Sequence, residues 1–172
     1  MINLEIMKTL KRPKVRPGRR FDSLEQEAFL CLWRTYDRLR VLEEELFGQY
    51  DLTPQQYNAL RLLCSEHPGK IRTLDLAERL VSRAPDITRL LDKLEQRALI
   101  ERERPAGNRR VVRIGITEAG LALLRELRDG IRACHARQLG HLSQKELKDL
   151  INLLLAARLP HENPEGSWRS KA

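Results

Sequence analysis

Residues 76–120 read LAERLVSRAPDITRLLDKLEQRALIERERPAGNRRVVRIGITEAG. Thr73 is the expected N-cap of a short helix over 74–80, and residues 81–84 form a turn. Pro85 stands at the first position of a second helix, where a fixed φ and a missing N–H cost nothing. That helix runs to about Arg97. Ile87, Leu90, Leu91 and Leu94 fall on one of its faces, while Arg83, Asp86, Arg89, Lys93 and Gln96 fall off it. Residues 99–104 and 110–116 are two strands around a turn at 105–108, where Gly107 and Asn108 permit a sharp reversal. Ala98 occupies the position after the helix, which makes a left-handed cap there less expected than glycine would. Short helix, turn, helix and basic hairpin is the order of a winged helix-turn-helix, whose second helix enters the DNA major groove.

The flanks are helical. Ser23 with Gln26 reads as a capping box opening a helix to about Gly48, with apolar residues at helical spacing from Leu24 to Phe47. Thr53, Pro54 and Gln56 open a second helix that His67, Pro68 and Gly69 stop near Glu66. Thr117 caps a long helix to about His141. Ser143 with Glu146 opens another, which Pro160 ends. The expected fold is mainly α with a small β-hairpin wing. Its divisions are a disordered basic arm (1–20), a dimerisation helix (21–52), a winged helix-turn-helix (53–116), dimerisation helices (117–160) and a disordered tail (161–172). Long apolar helices on both sides offer more surface than one small winged helix covers, so a two-fold dimer is expected.

Charge is localised. The net charge is +8, and residues 1–20 hold seven bases against the single acid Glu5, so the rest of the chain carries only +2. A nucleic-acid face on the body must therefore be local. Residues 83–116 supply it, with nine bases against five acids. No apolar run approaches the roughly 20 residues of a membrane span, and no secretory signal is evident, so the cytoplasm, at the nucleoid, is the expected location. Cys31, Cys64 and Cys134 have no metal-ligand spacing, and neither a metal nor a cofactor is expected. Cys64 with His67, and Cys134 with His135, lack an orienting acid or an oxyanion loop, which argues against an enzyme.

The segments LTPQQYNALRLL, ITRLLDKLEQRALIERE and NRRVVRIGITEAG make the body, from about Ser23 to Leu159, resemble the multiple antibiotic resistance regulator (MarR) family. The resemblance implies a dimer that binds a pseudo-palindromic operator on double-stranded DNA, mostly as a repressor, and releases it when a small aromatic ligand binds. It implies DNA contacts from Arg83, Pro85, Asp86, Thr88, Arg89, Lys93, Arg109 and Arg110, with Arg109 in the minor groove. It also implies a brace between Asp92 on the recognition helix and Arg110 on the wing. Asn108 departs from the family's aspartate, and Ala98 from its glycine. Trp33, Tyr36, Tyr57 and His67 are candidates for lining a ligand crevice, with core packing as the alternative for them. Two other readings stand beside this one. One is a winged-helix module for protein interaction or sequence-neutral nucleic-acid binding. The other is a redox switch at Cys31, a position about two residues out of register with the family's peroxide-sensing cysteine.

Overall fold

The computed structural model describes residues 21–81, 86–105 and 111–162. The helices are α1 (Leu24–Gly48), α2 (Pro54–Glu66), α3 (Thr73–Arg79), α4 (Ile87–Gln96), α5 (Glu118–Leu139) and α6 (Gln144–Arg158). The strands are β1 (Ile71–Arg72), β2 (Ile100–Glu103) and β3 (Arg113–Ile116). They form one antiparallel sheet in the order β1-β3-β2, with Ile71 opposite Ile114 and Ile100 opposite Ile116. This is the winged helix-turn-helix arrangement, mainly helical with a small wing. The arm at 1–20, the turn at 82–85, the wing tip at 106–110 and the tail from 163 lie outside the described residues. Among the described residues, no helix is long and apolar enough to cross a membrane.

Local chemistry sets most boundaries. Thr53 and Ser143 each accept the N3 amide while Gln56 and Glu146 return the bond, which completes two capping boxes. Thr117 caps α5 by accepting the Gly120 amide. At α1 the box is incomplete. Ser23 accepts the Gln26 amide, but the Gln26 carbonyl reaches the Asp22 amide instead, at 2.7 Å. The expected Thr73 cap is not formed. Arg72 is the N-cap residue of α3, and Thr73 is already helical, with its hydroxyl and amide both directed at the Val112 carbonyl. The pairing of β1 with β3, which the sequence reading did not include, pulls residue 73 into that position.

The end of α4 also differs from expectation. Ala98 adopts φ +54 despite its side chain. Its amide donates to the Glu95 carbonyl, and the Leu99 amide donates to the Leu94 carbonyl, the bonding pattern of a Schellman motif. Leu94 and Leu99 are both buried, which supplies the apolar contact of that motif. Burial of two leucines, at about 1.5–3 kcal/mol each, outweighs the about 1–2 kcal/mol of a left-handed alanine. At Gly120 a Cβ would lie 2.3 Å from the Leu99 carbonyl oxygen, so only glycine lets α5 start this close.

One core joins the elements. Leu60 and Leu63 of α2, Leu76 of α3, Leu91 and Leu94 of α4, Ile114 of β3 and Leu127 of α5 are essentially inaccessible. α1 joins it only at its C-terminal end, through Phe47. α6 buries no residue. Replacing Ala98 with glycine should raise stability by about 0.5–1 kcal/mol, the left-handed cost less glycine's own entropy. Thermal unfolding checks this; an unchanged or lower midpoint for Ala98→Gly contradicts the assigned cap.

Candidate nucleic-acid interface

α4 is built as three stripes. Its helical repeat places Ile87, Leu91 and Leu94 on one side, and the last two are buried. Arg89, Lys93 and Gln96 lie opposite them and are exposed. Between the two runs the stripe of Thr88, Asp92 and Glu95, which faces the wing. Asp86 caps the helix, its carboxylate accepting the Arg89 amide at 2.9 Å. Thus Asp86 spends its charge on the helix end, and Arg89 and Lys93 remain for an outside partner.

Arg102 of β2 holds the middle stripe. One guanidinium nitrogen donates to Asp92 at 2.6 Å and also pairs with Glu95 at 3.0 Å. The other lies 3.4 Å from the Thr88 carbonyl oxygen. The Arg102 side chain is 22% exposed against 46% for Asp92, so the base is the more enclosed partner. Arg102 thus ties Asp92, Glu95 and the Thr88 carbonyl of α4 to β2. Arg110, the expected partner, lies outside the described residues, as do Arg83, Pro85 and Arg109. Arg102 was not among the expected site residues. Its signal was present as a base on a strand beginning four residues after the helix, but choosing between it and the other wing arginines takes the fold.

The wing root ties its acids to a base. Lys70, just before β1, bonds Glu101 and Glu103 of β2, each at 2.8 Å. Its stem passes over Gly115 of β3, where an added Cβ would approach Lys70 Cγ to 3.0 Å. The Glu101 bond, then the Glu103 bond, raises the Lys70 pKa, and Lys70 in turn lowers that of Glu103. Two carboxylates that would repel phosphate are thereby tied to a cation.

The four expected crevice residues lie on α1, on α2 and just beyond α2. Trp33 and Tyr36 are exposed on α1, with Trp33 beside Phe29 at 6.1 Å between ring centroids. Tyr57 stacks on Phe47 at 4.7 Å, where burial raises its pKa, and His67 is exposed beyond α2. Cys31 is exposed, Cys64 is half-buried, and burial pushes the Cys134 thiol up, away from the reactive thiolate. Among the described residues no group of histidine, cysteine and carboxylate side chains is placed to hold a metal.

The MarR family model matches residues 52–112. The chain is 55% identical to a MarR transcription factor from Planctomyces limnophilus of known crystal structure, with a TM-score of 0.64 over 80% of this chain and 99% of that one. It is 29% identical over 126 residues to the HTH-type transcriptional repressor MdtR of Bacillus subtilis (strain 168), covering 73% of this chain and 80% of that one. A MarR variant from E. coli, solved in complex with operator DNA, shares the fold at 21% identity and a TM-score of 0.68, over 78% of this chain and 98% of that one. These relatives are transcription regulators, not enzymes.

Arg102→Ala should cost about 1 kcal/mol in urea unfolding, with a coupling of about 0.5–1 kcal/mol in the double-mutant cycle with Asp92→Asn. Zero coupling would remove the Arg102–Asp92 brace.

Proposed function

The chain belongs to the MarR family of transcription regulators, and on that premise we propose that it represses transcription as a homodimer reading a pseudo-palindromic operator. The observation that carries the reading is the α4 surface. Arg89 and Lys93 are exposed opposite buried Leu91 and Leu94, and the neighbouring acids Asp92 and Glu95 are taken up by Arg102. Such a helix can insert without placing free carboxylates against phosphate. Arg89 reads a base edge or clamps a phosphate, and Thr88 contacts a phosphate or a thymine methyl. Asp86 and Lys93 flank them on the same helix. Arg83 and Pro85 ahead of α4, and Arg109 and Arg110 at the wing tip, complete the contact set, with Arg109 in the minor groove.

What a single chain leaves uncovered supports the dimer. Leu24, Phe29, Leu32, Trp33 and Tyr36 of α1 are each about half or more exposed, as is Leu153 of α6. A second copy covers these faces and sets two α4 helices about 34–36 Å apart, on successive major grooves. The segments at 21–52 and 117–160 thus serve dimerisation, and that at 53–116 reads DNA. The effector is a small aromatic compound that meets Trp33, Tyr36, Tyr57 and His67 in the dimer. It releases DNA only by binding more tightly to a state with the wrong helix spacing. Action at the nucleoid in the cytoplasm follows from the same role.

Arg89→Ala tests the reader. On a duplex selected from a random library, it should lose about 1–3 kcal/mol of operator binding and flatten the preference at one base position. A uniform loss on every duplex favours sequence-neutral binding instead. Charge supplies a second expectation. Residues 1–20 hold +6 of the chain's +8, so replacing their seven bases with glutamine should flatten the salt dependence of DNA affinity, by about 0.9 in slope per lost phosphate contact. An unchanged slope would exclude that segment from the interface. Sedimentation should give about twice the 20.0 kDa chain mass; a stable monomer contradicts the dimer.

A further inference from the structure

The C-terminal end of α4 is fixed on two sides by chain segments distant in sequence. On one side lies the end of α1. The Arg97 guanidinium donates to the Asp51 carbonyl at 2.5 Å and to the Tyr50 carbonyl at 3.0 Å. Those carbonyls belong to the turn that finishes α1, where Leu52 bonds back to Phe47 and Asp51 takes φ +50. The last turn of α1 contains no base of its own. Arg97 therefore supplies from α4 the cation that a helix C-terminus favours. On the other side lies the start of α5. The Thr117 hydroxyl donates to the Ala98 carbonyl at 2.6 Å, and the Thr117 amide donates to the Leu99 carbonyl at 3.1 Å. Gly120 closes that contact by lacking a Cβ. α1 and α5 also pack on each other, with Leu46 against Gly130.

We infer that Arg97 is a positioning residue for operator recognition. It fastens the recognition helix to the α1 turn, so the disposition of the α1–α5 pair fixes where α4 points. The inference rests on the dimeric reading proposed above. In a dimer held by α1, α5 and α6, rotation of one subunit's helices against the other's must move both recognition helices. Without the Arg97 clip, α4 keeps its Arg102 brace to the wing and its Thr117 contacts, but loses both hydrogen bonds to the turn after α1. The operator-reading unit then tilts more freely against the dimer. Arg97 lies at the opposite end of α4 from Asp86, Thr88 and Arg89, so its effect falls on spacing and not on base contacts.

The test uses the full chain and three kinds of DNA. These are a duplex selected from a random library, the same duplex with one base pair inserted or removed at its centre, and a duplex holding one half-site. Arg97→Met keeps the apolar stem and removes the donors; Arg97→Lys keeps a charge and loses the two-carbonyl fork. The parent protein should favour the native spacing by tenfold or more over either altered duplex. In Arg97→Met that ratio should fall at least threefold, with half-site affinity within about twofold of the parent, and Arg97→Lys should fall between. An unchanged spacing ratio in a folded Arg97→Met overturns the inference. So does an equal loss on the half-site, which would make Arg97 a local or direct contact. Should Arg97→Met fail to fold, the ratio in Arg97→Lys decides by the same criteria. A parent protein indifferent to spacing overturns the dimeric reading itself, and the inference with it.

Discussion

Burial of Leu91 and Leu94 is the constraint on which the rest of the structure depends. With these two side chains essentially inaccessible, the rotation of α4 about its axis is fixed. Arg89 and Lys93 then have no choice of direction, because their positions fall on the opposite side of a 3.6-residue repeat. The middle stripe turns toward β2, where Arg102 meets Asp92 and Glu95. One apolar contact thus decides which charges are offered outward and which are consumed internally. Charge alone would not have produced that sorting, since α4 itself carries two bases, Arg89 and Lys93, against two acids, Asp92 and Glu95.

The sequence made the helices legible because their ends are chemically local. Thr53 with Gln56, Ser143 with Glu146, and Thr117 need only a side chain and an amide three residues on, and all appear as expected. Features set by distant chain were not legible. β1 is two residues long and exists through pairing with β3, and that pairing displaces the cap from Thr73 to Arg72. Ala98 goes left-handed because Leu99 must be buried beside Leu94, a tertiary demand that overrides a local preference. The Asp92–Arg102 pair is selected by strand geometry, which sets β2 against α4. In sequence Arg97 is one surface base among many, and its contacts come from two carbonyls nearly fifty residues away.

The chain also divides by how well it covers itself. α2, α3, α4, the sheet and the middle of α5 share one core, whereas the first half of α1 and all of α6 bury almost nothing. A compact winged-helix unit is thus joined to helices whose apolar side chains stay exposed in the single chain. The contacts at Arg97 and Thr117 lie where those two parts meet.

Hydroxyl-radical footprinting of a selected duplex addresses the two-fold reader most directly. Two protected segments should be centred about 10 base pairs apart on one face of the duplex, one for each α4. A single protected segment, or even protection along the whole duplex, would contradict it.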